Sequence, residues 1–552
     1  MPFKTLTPTL SVASQLTEAD VDQAAREGFR AIINNRPDGE EPGQLSAGEM
    51  QALAAAHGMS FAHVPTVGGK ISDGDVAGMA DALMRLDGPV LAYCRTGTRS
   101  TTLWALTQAG AKRADELIAT AARAGYDLSA LRSRLEGRMT APTAPRAGRA
   151  DVVIVGGGSA GLATAASILE RDRSLDIVVI EPRETHDYQP GWTMVGGGVF
   201  DVRDTRRTEA SVIPTGVRWI KGAVVSFEPE RDQVTLEDGS TVGYRALVVA
   251  PGNTLDWASI DGLPETLGQN GVTSNYSYET APYTWELVQK LKGGNALFTQ
   301  PPMPIKCAGA PQKAMYLSCD HWLRTGALRD INVEFHNAGA VLFGVKEFVP
   351  PLMEYVRRYG IDLQFESTLV AVNGPDRTAT FREKAGEVTK AFDMIHVTPP
   401  QKAPAFLARS PLANEAGYVD VDQSSLQHVR HANIFGLGDG GSTPNAKTMA
   451  AARKQAPVVA ENLIATLGGK APTAVYDGYG SCPLTVERGK ILLAEFGYGG
   501  KLLPSFPSWI IEGTKPQQLS WLLKSEALPW IYWNGMLKGR EWMAQPRHCD
   551  AA

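Results

Sequence analysis

The most constraining feature of the sequence is a glycine-rich turn between a strand-like run and a helical run. The strand-like run 151–155 is apolar and β-branched after Asp151, Gly156-Gly-Gly-Ser-Ala-Gly161 follows, and residues 162–169 have a helical pattern. In a βαβ unit the first glycine makes the tight turn, the second lets the backbone approach a pyrophosphate, and the third allows the helix to pack closely on the strand. A second strand, residues 176–181, ends in an acid placed for a pair of ribose hydroxyls. We therefore predict a dinucleotide site that includes Gly156, Gly158, Gly161 and Glu181.

Composition narrows the class of protein. The chain has 552 residues, too many for one core, so roughly two to four domains are expected. A net charge of -5 gives no reason to expect nucleic acid as a partner, and there is no run of about 18 apolar residues to span a membrane. The N-terminus lacks the apolar core of a signal peptide. The five scattered cysteines form neither a disulfide framework nor a metal cluster, which favours a cytoplasmic protein without a metal site.

The pattern along the chain predicts four regions. Residues 1–137 alternate strand-like runs (Arg30–Ile33, Pro89–Tyr93) with helical runs (Ala47–His57, Asp73–Arg85), as in a parallel α/β domain. A small, proline-containing segment at 138–149 is typical of a linker. A larger α/β region follows at 150–470, and residues 471–552 form a C-terminal region that contains five of the eleven tryptophans.

Two distant segments indicate which dinucleotide is bound. Residues 244–252 form a buried strand that ends in a small-residue turn, and residues 433–439 form a strand that leads into Gly-Asp. Flavoproteins with two dinucleotide-binding domains resemble this arrangement: the first turn closes over FAD, and the aspartate binds the ribityl or phosphate region. The resemblance implies FAD as the cofactor, held also by Ser159, Gly252, Gly438, Asp439 and Lys447.

The second nucleotide loop that such flavoproteins carry is replaced here by a proline-rich segment. The strand at residues 295–299 is followed by Gln300-Pro-Pro-Met-Pro-Ile-Lys-Cys307-Ala-Gly-Ala-Pro311. Proline has no N–H and a fixed φ, so this loop cannot form the usual phosphate cradle. This argues against nicotinamide as the electron partner and places Cys307 where a phosphate would otherwise lie.

Residues from about 150 to 545 resemble the sulfide:quinone oxidoreductases of mitochondria and bacteria. The resemblance is carried by six stretches: His186–Gly197, Ala210–Ile220, Lys306–Lys313, His396–Pro400, Tyr476–Leu484 and Leu528–Asn534. It implies an FAD enzyme that oxidises sulfide or a persulfide at a cysteine pair on one flavin face and reduces a quinone on the other. The sulfur acceptor stays open, with a small-molecule thiol as one candidate.

Cys307 matches the first redox cysteine of that family. Lys306 beside it and a helix that starts near Pro311 should favour its thiolate. The second family cysteine is expected directly after the Gly-Asp dipeptide, where this chain has Gly440. Cys319 and Cys482 are alternative partners, although a buried small hydrophobe is the favoured interpretation of both. Cys307 is therefore expected to work with a mobile thiol, either Cys94 or a small molecule.

The N-terminal region carries its own cysteine loop, Cys94-Arg-Thr-Gly-Thr-Arg99, between a strand and a helix. Such a loop stabilises a thiolate and binds an anion, helped here by Arg95 and Arg99. Its length is that of rhodanese-like sulfurtransferases and one residue short of the phosphatase Cys-x5-Arg loop. Residues 32–38, however, resemble phosphatase-like domains of bacterial sulfide-handling proteins. Sulfur transfer is favoured over phosphate hydrolysis. In a phosphatase, Asp73 or Asp75 would be the general acid; otherwise these residues cap a helix. An inert Cys94 is the third interpretation.

The C-terminal segment 520–542 mixes tryptophan and tyrosine with basic residues. This pattern is typical of helices that lie on a membrane, here the surface of the inner membrane, where they would give access to quinone. The alternative is a helical lid or an oligomer contact. For the whole chain, two further interpretations remain open: a phosphatase fused to a flavoprotein with another substrate, and a non-catalytic redox sensor.

Overall fold

The computed structural model describes residues 3–109, 112, 114–136 and 149–549. The chain divides into two compact units. The first contains residues 1–141 and the short segment 207–211, and the second contains residues 142–206 and 212–552. The predicted linker lies outside the described residues, apart from Arg149, which begins the first strand of the second unit.

The described part of the first unit contains one five-stranded sheet. Its strand order is Lys4–Thr7, Leu10–Ala13, Val90–Tyr93, Ala31–Asn34, Ser60–His63. The first pair is antiparallel and the others are parallel. The helices of this unit are Glu18–Arg26, Ala47–Ala56, Asp73–Arg85, Thr98–Gln108, Ala114–Arg123 and Arg132–Glu136. The predicted parallel α/β domain is confirmed, with its strands and helices within a few residues of the expected bounds.

Three helices of the first unit begin with a capping box, which explains where they start. Thr17, Ser46 and Ser72 each accept the backbone N–H three residues on, and the acid at that position bonds back to the cap. Asp75 is the acid of the third box, so the structure gives its carboxylate the role of a helix cap.

The second unit starts with the sheet that the glycine-rich turn predicts. Among its described residues the strand order is Arg218–Ile220, Ile177–Ile180, Arg149–Val155, Thr241–Val249, Gln233–Leu236, Val224–Glu228, and Ile434–Gly436 pairs with Thr241–Val249 as well. The first four strands of this order pair in parallel, and Ile434–Gly436 is also parallel to Thr241–Val249. Strands Gln233–Leu236 and Val224–Glu228 continue from Thr241–Val249 as an antiparallel meander. Helix Ser159–Arg171 crosses over between the first two strands in sequence.

A second parallel sheet carries the proline-rich loop. Its order in the described residues is Val272–Thr273, Met394–His396, Gly294–Gln300, Ile331–Asn337, Asp362–Phe365. Beside it lie a three-stranded sheet, Thr368–Asn373, Thr378–Glu383 and Gly386–Ala391, and a hairpin, Gly480–Glu487 and Lys490–Phe496. The longer helices are Ala281–Lys290, Ala310–Thr325, Val349–Tyr359 and Met449–Leu467. The second unit thus contains two parallel sheets of the dinucleotide-binding type, which confirms the predicted flavoprotein fold with two dinucleotide-binding domains.

The C-terminal region contains a continuous helical segment that we call the tail helix, Gln518–Asn534. It consists of Gln518–Leu522, a π-helical turn over Leu523–Ala527, and Leu528–Asn534. Within the described residues, no helix has the length and apolar character needed to span a membrane.

Gly161 fixes the packing of helix Ser159–Arg171 on its sheet. A Cβ at this position would lie 1.9 Å from the Gly156 carbonyl oxygen, whereas a Cβ at Gly344 would meet nothing within 4 Å. We expect Gly161→Ala to lower the stability of the cofactor-free protein by about 1–3 kcal/mol, the usual cost of overpacking. Thermal unfolding measures this, with Gly344→Ala as the control. Equal midpoints for the two variants would contradict the packing argument.

Candidate functional site

Two cysteines from distant parts of the chain meet in the second unit. Cys307 lies between strand Gly294–Gln300 and helix Ala310–Thr325, and Cys482 lies in the hairpin strand Gly480–Glu487. Their Sγ atoms are 3.3 Å apart. Of the two alternative partners that the sequence offers, Cys482 is the one that lies beside Cys307, so the interpretation of Cys482 as only a buried small hydrophobe does not account for this contact. The two cysteines are 175 residues apart in the sequence, so no local sequence pattern indicates that they meet.

The backbone holds Cys307 in an unusual conformation. Its φ is +52°, in the left-handed region that costs a non-glycine residue about 1 kcal/mol or more. Its N–H donates to the Lys447 carbonyl at 2.7 Å, and its own carbonyl accepts the Ala310 N–H at 2.7 Å. These bonds fix the side chain in its position towards Cys482.

A buried lysine sets the charge of the pair. Lys313 donates from Nζ to the Sγ of Cys307 at 3.0 Å and lies 3.7 Å from the Sγ of Cys482. The hydrogen bond from Cys482, together with the Lys313 charge, holds the pKa of the Cys307 thiol well below its usual range despite burial. The same hydrogen bond and burial raise the pKa of Cys482. The nearer position of Lys313 to Cys307 therefore favours the negative charge on Cys307 and the proton on Cys482.

The tail helix supplies a second buried ammonium group. Lys524 lies in its π-helical turn, and its charge acts on Lys313 and both cysteines. Burial, and then the positive charge of Lys313, lower the pKa of Lys524 to about 7. Lys524 can therefore exchange a proton near neutral pH, whereas Lys313 stays charged because the two sulfurs raise its pKa against the effect of burial.

Lys306 was expected to stabilise the thiolate, but the structure gives this role to Lys313. The Nζ of Lys306 instead donates to Gln189 at 2.6 Å, and burial lowers its pKa to about 8. The predicted start of a helix near Pro311 agrees with the helix Ala310–Thr325.

The glycine-rich turn forms an open cradle. Gly156 has a φ of +106°, and a Cβ there would lie 2.4 Å from the Ala250 carbonyl oxygen, so the turn closes tightly. A Cβ at Gly158 meets nothing within 4 Å, which leaves room for a pyrophosphate at the start of helix Ser159–Arg171. The buried Glu181 accepts the Gly157 N–H at 2.8 Å and the Arg183 N–H at 3.0 Å, and its remaining lone pairs suit ribose hydroxyls.

A buried asparagine that the sequence analysis did not single out completes this cradle. Asn253 follows Gly252, which has a φ of +72° and no neighbour at its Cβ position. Neither amide atom of Asn253 has a hydrogen-bond partner among the described residues. Because a buried amide is costly unless it is bonded, these atoms fit a ligand of the size and polarity of FAD.

The Gly-Asp turn connects this cradle to the cysteine pair. Gly438 has a φ of +70°, and Asp439 is buried close enough to Lys306 and Lys447 for their charges to lower its pKa, although burial raises it overall. Lys447 donates from Nζ to the carbonyls of Asp439 and Gly441, both at 2.8 Å. Lys447 therefore holds the turn, while its carbonyl holds Cys307.

The tail helix also contacts the glycine-rich turn. The hydroxyl of Tyr532 lies 2.8 Å from Oγ of Ser159 and 2.5 Å from Nε2 of His186. His186 in turn lies 3.1 Å from the Gly157 carbonyl through Nδ1. On the other side of the same helix, Trp530 is exposed. The tail helix thus packs on the cradle with one face and presents apolar groups to the surroundings with the other.

The cysteine loop of the first unit has a separate site. Cys94 is buried at the end of strand Val90–Tyr93, and its Sγ accepts the Gly97 N–H at 3.2 Å. A cavity of about 310 Å³ lies against Cys94, Arg95 and Arg99. Gly97, with a φ of +86°, caps helix Thr98–Gln108. The loop therefore offers a buried sulfur at a helix N-terminus with two arginines beside it. The described residues contain no cluster of three or more metal-ligating side chains.

Comparisons with known proteins match the N-terminal region and the region after it to different families. A family model described as pyridine nucleotide-disulphide oxidoreductase matches residues 150–289, and the phosphatase-like domain of beta-lactamase hydrolase-like proteins matches residues 2–111. A mitochondrial sulfide:quinone oxidoreductase of Dictyostelium discoideum is 43% identical over 393 residues, 70% of this chain and 86% of the relative; that of Mus musculus is 38% identical over 392 residues, with the same coverage.

Two further likenesses concern single regions or the fold. A beta-lactamase hydrolase-like protein of Agrobacterium fabrum is 39% identical over 100 residues, 18% of this chain and 23% of the relative. The structure of the sulfide:quinone oxidoreductase of Aquifex aeolicus superposes with a TM-score of 0.58 at 20% identity, covering 70% of this chain and 92% of that one. The last comparison supports the fold alone.

Gly158 offers a direct test of the cradle. We expect Gly158→Val to purify without yellow colour, because the valine side chain would fill the space for the pyrophosphate. The protein itself should tolerate the substitution, because a Cβ at this position has no protein atom within 4 Å. The flavin absorbance of the purified protein measures this, and thermal unfolding checks that the variant is folded. A folded Gly158→Val protein with a full complement of FAD would show that the cofactor binds elsewhere.

Proposed function

The chain belongs to the family of sulfide:quinone oxidoreductases, and we propose that sulfide enters this enzyme at the Cys307–Cys482 pair. It is an FAD-dependent oxidoreductase that oxidises sulfide and passes the electrons to quinone. The contact of 3.3 Å between the two sulfurs, beside the ammonium group of Lys313, is the observation that carries the proposal.

The unequal pKa values of the two thiols give the reaction a direction. In the oxidised pair, HS⁻ attacks one sulfur, the S–S bond breaks, and the other sulfur leaves as a thiolate. The thiol with the lower pKa leaves faster, so Cys307 leaves and Cys482 becomes the persulfide. Lys313 stabilises the departing thiolate at 3.0 Å.

The cycle closes through a thiol acceptor. The acceptor thiolate takes the outer sulfur of the Cys482 persulfide and leaves as a persulfide, so that Cys307 and Cys482 are both reduced. Their reoxidation to a disulfide releases two electrons and the thiol protons, and bound FAD supplies the chemistry that accepts the electrons and delivers them to quinone. Lys524, with a pKa of about 7, is placed to take a proton released in this step.

We assign the cofactor contacts to the residues that form the cradle. Gly156, Gly158, Ser159 and Gly161 would face the pyrophosphate at the helix N-terminus, and Glu181 the ribose. Gly252, Gly438, Asp439 and Lys447 would shape the adjoining wall, with Lys447 acting through the backbone that it holds. Asn253, whose amide atoms lack partners among the described residues, is added to this set.

The tail helix supports a membrane-surface location. Leu519, Leu522 and Trp530 on this helix are exposed, and Trp509 before it is 83% exposed. Such groups favour the interface between lipid headgroups and acyl chains. We propose that this face rests on the cytoplasmic side of the inner membrane and gives lipid-soluble quinone access to the enzyme.

For the first unit we propose that Cys94 carries sulfane sulfur. The six-residue span from Cys94 to Arg99 has the length of a persulfide-carrying loop, and the Asp75 carboxylate is engaged as a helix cap. The alternative is hydrolysis of aryl phosphates, which the match to a phosphatase-like family model favours.

Cysteine variants test the proposed sulfide site. We expect Cys307→Ser and Cys482→Ser each to abolish reduction of the flavin by sulfide, because a serine hydroxyl cannot form the disulfide that sulfide opens. Cys319→Ser is the matched control: Cys319 is equally buried, and burial raises the pKa of its thiol, so we expect near wild-type reduction. Anaerobic addition of sulfide, followed by flavin absorbance, measures this. Undiminished reduction in Cys482→Ser would show that Cys307 uses a different partner.

The Cys94 proposal has a separate readout. We expect the full-length protein to gain the mass of one sulfur atom on the Cys94 peptide after treatment with a low-molecular-weight persulfide, and Cys94→Ser to lose this labelling. Because Cys307 and Cys482 remain, the same variant should still be reduced by sulfide in the first turnover. Efficient hydrolysis of aryl phosphates without sulfur labelling would establish the phosphatase alternative instead.

A further inference from the structure

The two arginines of the Cys94 loop are tied to carboxylates. Arg99 donates from one terminal nitrogen to Oε1 of Glu40 at 2.7 Å and from the other to the Asn35 carbonyl at 3.2 Å. The other carboxylate oxygen of Glu40 accepts from Nε of Arg36 at 2.6 Å. Glu40 therefore bridges an arginine of the sulfur loop to a second, almost completely buried arginine.

A second and more exposed carboxylate repeats this arrangement. Glu41 lies 2.7 Å from a terminal nitrogen of Arg36 and 3.2 Å from Nε of Arg95. The Arg95 side chain is 63% exposed and that of Glu41 is 46% exposed, whereas that of Arg99 is only 10% exposed. The pair at Arg95 is therefore screened by water, and the pair at Arg99 is the one that affects the cavity.

Glu40 carries a negative charge close to the cavity next to Cys94. Although burial raises its pKa, hydrogen bonds from Arg36 and Arg99 hold it below the usual range, so Glu40 is ionised at neutral pH. Its charge, which it shares with Arg36, offsets part of that of Arg99, the less exposed of the two arginines lining the cavity next to Cys94. A carboxylate bonded to Arg99 competes with a dianion for the donors of its guanidinium group and weakens the attraction for that anion.

We infer that Glu40 makes the Cys94 site selective for sulfur donors of low negative charge, the persulfides of thiols, and against dianions such as thiosulfate and phosphate monoesters. The inference rests on the proposed sulfur-carrier function of Cys94 and adds the class of donor. It also explains how a loop that resembles an anion cradle can serve sulfur transfer.

The transfer step needs no additional oxidant or reductant. The Cys94 thiolate attacks the outer sulfur of a protonated persulfide, R–S–SH, and the S–S bond of the donor breaks. The donor leaves as R–S⁻, and Cys94 becomes Cys–S–SH. The proton moves with the transferred sulfur, and the charge is the same before and after the step.

Charge selectivity can be measured without assuming any sulfur chemistry. Iodoacetamide and iodoacetate alkylate the same thiol and differ mainly in one negative charge, so the ratio of their rates at Cys94 reports how the site treats an anion. Peptide mass spectrometry of the full-length protein resolves Cys94 from the other cysteines.

We expect Glu40→Gln to raise the iodoacetate-to-iodoacetamide ratio by roughly two- to tenfold, the order of effect that removing one unit charge near the thiol has at an effective dielectric constant of about 40–80. The amide keeps an acceptor for one arginine, and the rate with iodoacetamide should change by less than about twofold. Glu41→Gln is the matched control and should change the ratio little, because its pair is exposed. The gain should disappear in the double variant Glu40→Gln/Arg99→Gln, because the released charge is that of Arg99.

Sulfur donors provide the second arm. In the wild-type protein a thiol persulfide should label Cys94 faster than thiosulfate does. Glu40→Gln should reduce the ratio of these two labelling rates by roughly two- to tenfold, as for the alkylating reagents. An unchanged alkylation ratio in folded Glu40→Gln protein overturns the inference, as does an equal loss of reactivity towards both reagents, which would leave Glu40 a purely structural role. If the ratio shifts but no donor labels Cys94, the sulfur-carrier proposal fails and the charge selectivity stands.

Discussion

A single buried contact, the Cys307 thiolate against the Lys313 ammonium, determines most of what the second unit can do. Lys313 is buried and Cys307 is partly buried, and an unpaired charge on such a lysine would be strongly destabilising. The contact gives one of two neighbouring sulfurs the charge and leaves the proton on the other. In the proposed reaction this asymmetry makes Cys307 the leaving group and Cys482 the sulfur carrier.

The rest of the second unit can be understood as support for this contact. The Lys447 carbonyl fixes the strained backbone of Cys307, while its ammonium group fixes the Gly-Asp turn beside the nucleotide cradle. The tail helix brings Lys524 to the sulfurs and Tyr532 to the glycine-rich turn. Its opposite face, with Leu522 and Trp530, is exposed. One helix therefore connects an apolar surface with both the redox pair and the cofactor cradle.

The sequence predicted what is local and missed what is distant. The glycine spacing, the apolar strand before it and the acid after the next strand all lie within about 30 residues, so the cradle could be expected from one βαβ unit. Cys482 was named only as an alternative partner, because nearly every residue of its strand is buried and the strand looks like any other core strand. Lys313 and Lys524 were missed for the same reason: their burial beside sulfur depends on the packing of a helix and the tail helix, which no periodicity reports.

The two proposed sulfur sites of the chain differ in their electrostatics. At Cys307 the ammonium group of Lys313 contacts the sulfur directly, which stabilises a thiolate and favours it as a leaving group in the proposed reaction. At Cys94 the nearby guanidinium groups are already paired with Glu40 and Glu41, and the Sγ is met by a backbone N–H instead. A site that generates a persulfide by opening a disulfide needs a stabilised leaving group. A site that accepts sulfur from a persulfide needs an available nucleophile and no strong attraction for competing anions. The difference in pairing of the basic residues therefore matches the different tasks proposed for the two cysteines.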